Sequence, residues 1–103
     1  MYKLLFFVPD SHLEVVKEAI FAAKGGEIGN YSHCAWQVLG EGQFKPLPGS
    51  NPYSGEVDQL KRVPEWRVEL VVAKPYIHDA IAALKSAHPY ETPAYDVIEL
   101  LPF

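Results

Sequence analysis

The sequence is poor in cysteine. Its single cysteine, Cys34, excludes an internal disulfide and a zinc site built from cysteine pairs. Because chains with few thiols and no disulfide framework are typical of a reducing compartment, we expect a cytoplasmic protein. A free cysteine commonly packs as a small apolar side chain, so we expect Cys34 to be a buried core thiol rather than a nucleophile or a metal ligand.

The chain also lacks a basic run and a long apolar run. Its formal charge is −4 at pH 7, whereas nucleic-acid partners are bound mainly through clustered Lys and Arg. The apolar residues 4–8 are too few for a signal-peptide core, and no stretch approaches the ~18 apolar residues of a membrane span. We therefore expect one soluble domain over residues 1–103, with no nucleic-acid partner and no membrane partner.

Four segments have the pattern of β-strands. Residues 4–8 are apolar without a break, which is typical of a strand buried on both faces at the centre of a sheet. Two further segments alternate with period two, and a fourth closes the chain. The predicted strands are residues 4–8, 34–38, 66–72 and 94–101.

Two segments have helical periodicity. Ser11 and Glu14 match a capping box, which predicts a helix over about residues 12–24 that ends at a glycine pair. Pro75 suits the first position of a second helix, which must end before Pro89. The glycine-rich run after the first helix closes a helix rather than opening one, so it does not predict a phosphate site.

Residues 40–63 form a long connection between the second and third predicted strands. Their three prolines and several glycines exclude a helix and a central strand, although residues 43–45 could extend a hairpin arm. Loops of about 20 residues without secondary structure are usually functional in compact domains. We therefore expect this loop to carry binding contacts.

The order strand, helix, strand, strand, helix, strand predicts an α+β fold. It is typical of the ferredoxin-like βαββαβ plait, an antiparallel four-stranded sheet with two helices on one face. The unbroken first strand, together with Tyr95, Val97 and Leu101, suggests that the other face of the sheet is also apolar. Since no third layer remains in the chain, we expect another copy to cover that face and predict a homo-oligomer, a trimer or a dimer.

The segment 88–96 carries the densest chemistry of the chain. Its two prolines stiffen the backbone into an extended turn between a helix and a strand. Such a turn can hold a site or act as a hinge. Its notable residues are His88, Pro89, Tyr90, Glu91, Pro93, Tyr95 and Asp96.

Three side chains are candidate ligands of a divalent metal, Cu or Zn. They are His33, His88 and Glu91. The alternative for His88 is an imidazole that ends the second helix and bonds a nearby carbonyl or Glu91. Tyr31, Tyr53, Tyr90 and Tyr95 could stack on a planar ligand or, as we expect, form subunit contacts.

Three stretches resemble the small domain inserted in the Nif-three-like proteins, a group often labelled as dinuclear-metal-centre or GTP cyclohydrolase type-two-like. They are residues 26–34, residues 42–46 with 49–52, and residues 88–97. The His-Pro-Tyr-Glu-x-Pro run also occurs in CutA, but the run Gly29, Asn30, Tyr31 with Cys34 close behind favours the Nif-three-like insert. The resemblance covers nearly the whole chain and implies the PII/CutA-like form of the plait.

The resemblance shapes the functional expectation. It implies a two-metal hydrolase only for the full-length family, whose ligands lie in halves that flank the insert and are absent here, and Thr92 replaces an expected acidic residue. We therefore expect a free-standing, non-catalytic binding or regulatory module for a divalent metal or a small metabolite. The alternatives are an oligomeric protein-interaction module without a ligand and a metal-dependent hydrolase.

Overall fold

The computed structural model describes residues 1–103. It contains four strands and two α-helices, and a single 3₁₀ turn leads into each helix, at Asp10–His12 and Lys74–Tyr76. The elements are β1 (Tyr2–Pro9), α1 (Leu13–Ala22), β2 (Trp36–Phe44), β3 (Lys61–Val72), α2 (Ile77–Ala87) and β4 (Tyr95–Glu99).

The strands form one antiparallel sheet in the order β2-β3-β1-β4. The unbroken apolar strand β1 lies inside the sheet between β3 and β4, as its pattern predicts. Both helices pack on one face, where Leu4, Phe6 and Val8 of β1 meet apolar residues of α1 and α2. The predicted α+β ferredoxin-like plait is confirmed.

The core lies between this helix face and the two helices. Alternate residues of β3 and the apolar stripes of the helices complete it, because a period of two on a strand and of 3.6 on a helix each point one set of side chains inward. The twelve clustered residues are Leu4, Phe6, Val8, Leu13, Val16, Ile20, Val68, Leu70, Val72, Ile77, Ala80 and Leu84. Neither helix has the length and apolar content needed to cross a bilayer.

The predicted 40–63 loop is shorter in the structure. Both β2 and β3 extend into it, so the connection between them covers only residues 45–60, which we call the 45–60 loop. On one side Pro64 pairs with Glu41 of β2. On the other side β1 pairs with β3 only as far as Glu65, which is why a proline is tolerated at position 64. Beyond that point β3 has a free edge, where a missing N–H does no harm.

The ends of α1 also differ from the prediction. Ser11 makes no capping hydrogen bond, and its hydroxyl instead bonds Nδ1 of His12 at 2.8 Å. At the other end the left-handed positions are Lys24 (φ 75°) and Gly26 (φ 76°), not the adjacent Gly25. The predicted capping box is therefore wrong, because a 3₁₀ turn at Asp10–His12 precedes α1 and leads into it.

The second face of the sheet, which we call the open face, is less apolar than predicted. Tyr95 and Val97 do not lie on it, because they pair with the core residues Phe6 and Leu4 and so point to the helix face. The open face instead presents Leu5, which is buried, together with exposed Trp36 and Val38.

Candidate binding site

A cavity of about 520 Å³ opens where three segments meet at one end of the sheet. Its floor is the open face near Phe7 and Glu65, one wall is the 45–60 loop, and the other wall is the segment 88–94, which we call the 88–94 turn. We call this space the loop cavity. It falls within the 300–1,000 Å³ typical of small-molecule sites.

Aromatic side chains dominate the walls of the loop cavity. The ring of Tyr90 lies 6.2 Å from that of Phe44 and 6.1 Å from that of Tyr53, measured between centroids. His12 meets Tyr53 edge-on at 5.6 Å. These contacts join β2, the 45–60 loop and the 88–94 turn into one aromatic cluster, because tilted and edge-on ring pairs at such distances attract each other.

His88 fixes the 88–94 turn to the sheet. The backbone N–H of Tyr90 donates to Nδ1 of His88 at 3.1 Å, so Nδ1 is the acceptor nitrogen. The ring therefore carries its proton on Nε2, which donates to the carbonyl oxygen of Phe7 at 2.7 Å. Only 6% of His88 is exposed, and burial lowers its pKa despite the favourable bond to Phe7. The imidazole is thus a neutral structural bridge.

Glu91 connects the two walls of the loop cavity. Its Oε1 accepts a hydrogen bond from the backbone N–H of Asn51 at 2.9 Å, which ties the 88–94 turn to the 45–60 loop. Within the loop, the N–H of Asp58 donates to the carbonyl of Pro46 at 2.7 Å, and Pro46 is buried. The cavity is therefore framed by bonds within and between its walls.

Glu65 and Tyr90 are the electrostatically unusual pair of the cavity. The Tyr90 hydroxyl donates to Oε2 of Glu65 across a long 3.4 Å. Burial raises the pKa of Glu65, and burial together with the nearby Glu65 carboxylate raises the pKa of Tyr90 to about 12. Tyr90 is therefore a neutral donor at physiological pH, and the Glu65 carboxylate lies in partly dehydrated surroundings.

The position of Glu65 depends on a glycine in the neighbouring strand. A Cβ added to Gly42 would lie 2.5 Å from Oε1 of Glu65, so the carboxylate rests directly against the β2 backbone. A Cβ added to Gly40 would come no closer than 3.9 Å to its nearest neighbour. Gly42 thus makes room for the carboxylate, and this explains a glycine inside a strand.

The predicted metal ligands do not meet within one chain. His33 packs on Phe21 at 4.6 Å between centroids and lies 3.7 Å from Glu18, on α1. His88 lies at the other end of β1, and both its ring nitrogens bond the backbone. No group of three or more His, Cys, Asp or Glu side chains is placed to hold a metal ion.

The motif residues 29–34 form a separate projection. Ile28 and Tyr31 exchange two backbone hydrogen bonds of 2.9 Å, which closes a tight turn with Gly29 at φ 56° and Asn30 at its tip. Tyr31 is 75% exposed. Cys34 is half-buried and outside the core, and its thiol faces the carbonyl of Ser32 at 3.7 Å. The expected core thiol was wrong, because β2 begins only at Trp36.

The remaining motif residues lie in the 88–94 turn or in β4. Pro89 and Pro93 are half-buried in the 88–94 turn. Tyr95 packs against the core and lies beneath the ammonium of Lys85 at 5.6 Å. Asp96 is exposed and pairs with Leu5 on the open face. Of the tyrosines considered in the sequence, only Tyr53 and Tyr90 line the cavity.

Sequence reasoning missed Glu65, Phe44 and Ser50 as residues of the site. The alternation of β3 continues backward from Trp66 only to Glu65, because Val63 is apolar on the face where Glu65 is polar, so a period of two did not reveal the longer strand. Pro64 also hid the strand. Ser50 lines the cavity, and its buried hydroxyl has no hydrogen-bond partner, a property that only the folded loop creates.

The fold is that of the CutA/PII-like class of small α+β modules. CutA1 of Pyrococcus horikoshii superposes with a TM-score of 0.72 at 15% identity, over 100% of this chain and 86% of that chain. The PII-like protein CutA of Nostoc gives 0.63 at 20% identity, over 97% of this chain and 81% of that one. At such identities the likeness concerns the fold alone.

The sequence itself is similar to a segment of NIF3-related proteins. The GTP cyclohydrolase 1 type 2 homologs of Mycobacterium tuberculosis and Bacillus subtilis are 44% and 45% identical, over 97% and 92% of this chain. A NIF3-related protein of Bacillus cereus superposes with a TM-score of 0.82 at 41% identity, over 96% of this chain and 25% of that one. The predicted resemblance to the Nif-three-like family is confirmed.

The match is confined to part of those relatives. The chain spans 26% of the length of the M. tuberculosis and B. subtilis proteins. No protein-family model matches the chain.

Proposed function

We propose that this chain is a small-molecule binding module whose site is the loop cavity. The observation that carries the proposal is the convergence of aromatic and polar side chains on one space of about 520 Å³. That space is walled by Tyr90 and Glu91, two residues of the motif that resembles the Nif-three-like insert. A concave site with apolar walls and a few convergent polar groups is the usual form of a ligand pocket.

Within this proposal the module binds rather than catalyses. A nucleophile needs a base within hydrogen-bond reach, and the Ser50 hydroxyl has no partner. The nearby imidazole of His88 is engaged by the backbone at both nitrogens and cannot serve as that base. The polar groups of the loop cavity are suited to hold a ligand.

The proposal includes self-association through the open face. Trp36 is 57% exposed there, next to exposed Val38 and to the ion pair between Arg67 and Glu69 at 3.1 Å. An aromatic anchor beside charges of both signs suits a second copy of the same surface, because each copy offers the complementary charge. The angle at which neighbouring copies dock determines whether the assembly is a dimer or a trimer.

The binding proposal is tested by a fragment screen monitored by amide NMR shifts and thermal unfolding. Ligands of the loop cavity should shift amides of the 45–60 loop and the 88–94 turn and raise the melting temperature increasingly as the ligand concentration rises above the dissociation constant. Tyr90→Ala should abolish the shifts. Tyr31→Ala, an exposed tyrosine in the other motif, is the matched control and should bind normally. A screen without a single hit at the cavity would overturn the proposal.

The metal form of the binding expectation and the hydrolase alternative enter the same screen. Zn²⁺ and Cu²⁺ test the metal hypothesis, which within this structure would need ligands from a second chain. GTP tests the hydrolase alternative, which rests on the names of relatives that the chain matches over 26% of their length. Metal-dependent loss of GTP would favour that alternative over binding alone.

A further inference from the structure

Resting on the proposed binding function, we propose that the ligand of the loop cavity is a small organic cation, an amine or guanidinium group carried on a flat apolar body. The geometry that points to it is a carboxylate on the cavity floor, Glu65, beneath the rings of Phe44, Tyr53 and Tyr90. Each part of the ligand has a counterpart among these side chains.

The charges of the cavity lining favour a cationic ligand. The acidic residues of the lining are Glu65 and Glu91, from the floor and from the 88–94 turn, and its one basic residue is Lys45. Lys45 is exposed, whereas Glu65 is half-buried. An anionic ligand would bring its charge toward a carboxylate that is already poorly hydrated, so phosphates and carboxylic acids are disfavoured. A cation offsets that charge instead.

The dehydration of Glu65 strengthens this preference. Gly42 allows the carboxylate to lie against the backbone, and the only side-chain hydrogen bond it receives is the long one of 3.4 Å from Tyr90. Burial raises the pKa of Glu65, because the protein groups around the carboxylate only partly compensate its charged form. An ammonium or guanidinium N–H would supply that compensation through a charge-assisted hydrogen bond.

The aromatic walls suit both halves of such a ligand. The ring faces of Tyr90 and Tyr53 attract a cation through their quadrupoles, and the flat body can pack against one of these two rings, which are tilted against each other with centroids 6.1 Å apart.

The test uses three probes of the same shape and different charge: 2-phenylethylamine, 2-phenylethanol and phenylacetate. Dissociation constants are measured by amide NMR titration at pH 7.5 on the whole chain. We expect the amine to bind about tenfold or more tightly than the alcohol, as for a hydrogen bond to a charged group, and phenylacetate to bind most weakly. Equal affinities for amine and alcohol would overturn the cation inference while leaving the proposed cavity intact.

Two variants assign the preference to Glu65. Glu65→Gln keeps the shape and removes the charge, and it should reduce the amine-to-alcohol ratio to about one. Gly42→Ala should have a similar effect, since its Cβ would displace the carboxylate, whereas Gly40→Ala is the matched control and should retain the ratio. Amide spectra verify that each variant is folded. If the ratio survives in Glu65→Gln, the inference is wrong; if no probe or fragment binds, the proposed function fails as well.

Discussion

His88 shows at the scale of a single residue how a motif can be structural. Histidine is a common metal ligand, yet here its two nitrogens join the 88–94 turn to strand β1 through the backbone of Tyr90 and Phe7. The bond from Tyr90 requires the neutral ring, because a protonated Nδ1 could not accept it, whereas Nε2–H donates to Phe7 in either protonation state. The residue therefore couples the wall of the loop cavity to the protonation state of one imidazole.

This coupling predicts a pH dependence of stability. The pKa of His88 lies below its ordinary 6.5 in the folded chain, so the unfolded chain binds more protons below about pH 6.5. The contribution of His88 to the free energy of unfolding is complete above that pH and is lost as the pH falls toward the folded pKa. Denaturant titrations of the wild type and of His88→Gln should differ most at pH 7.5 and converge toward pH 5.

The buried hydrogen bonds of His88 set the expected size of this effect, and an exposed histidine of α2 provides the control. At pH 7.5 we expect His88→Gln to cost about 1–3 kcal/mol, the range for disturbing a buried hydrogen bond. The pKa of Glu65, raised by burial, gives a dependence of opposite sign, which cancels when the two curves are subtracted. His78→Gln, at an exposed position of α2, should track the wild type. A pH-independent difference for His88→Gln would contradict the neutral-bridge role.

At the scale of elements, the end of α1 carries backbone strain. Lys24 adopts φ 75°, where a Cβ clashes with the backbone, although Gly25 is its neighbour. The register is fixed by Gly26, whose N–H bonds the carbonyl of Val71 at 2.8 Å and whose own carbonyl accepts from Cys34 at 2.8 Å. Tertiary hydrogen bonds thus place the left-handed residue at Lys24.

Lys24→Gly should therefore stabilise the chain. Relief of the left-handed strain outweighs the entropy cost of glycine, and we expect a gain of about 0.5–1 kcal/mol in the free energy of unfolding, measured by urea titration. The opposite change, Gly26→Ala, should destabilise, because its Cβ would lie 2.8 Å from the ring of Phe21 and 2.9 Å from the carbonyl of Cys34. Destabilisation by Lys24→Gly would show that the position is not strained.

The paired extension of β2 and β3 is the element that creates the site. Residues beyond the end of β1 pair only with each other, so the hairpin projects past the sheet and its side chains face the 88–94 turn. The chain is correspondingly elongated, with extents of 46 × 24 × 24 Å. A longer hairpin and a shorter loop leave a walled cavity where the sequence predicted an open loop.

At the scale of the whole molecule, one face of the sheet is covered by the helices and the other is exposed. The helix face is closed by α1 and α2, whereas the open face exposes Trp36, Val38 and Ile98. Such a face is a candidate surface for self-association. We expect the mass measured by analytical ultracentrifugation to exceed that of one chain and to fall on dilution.

One strand offers a matched pair of variants for this expectation. Trp36 and Leu39 are 57% and 53% exposed, but their pairing with Glu69 and Trp66 places them on opposite faces. Trp36→Glu should shift the equilibrium to the single chain, because it buries a charge without a partner, while Leu39→Glu should not. Equal behaviour of the two variants, or a wild type that is monomeric at every concentration, would contradict self-association through the open face.

The sequence by itself determined the order of the elements, the central place of β1 and the family resemblance. These follow from local patterns: an unbroken apolar run, apolar stripes of helical period, and prolines that end a helix. It also singled out the 88–94 turn. None of these features depends on which distant residues come into contact.

Only the tertiary structure decided what the motif does. The carbonyl that His88 bonds belongs to Phe7, the carboxylate beside Tyr90 belongs to Glu65, and the glycine that makes room for it is Gly42. Strand length around Pro64 depended on whether β1 reached that far, and the faces of Tyr95 and Trp36 depended on register. Contacts between residues far apart in the chain set protonation, burial and cavity shape, because those properties arise only when separate segments exclude water from one another.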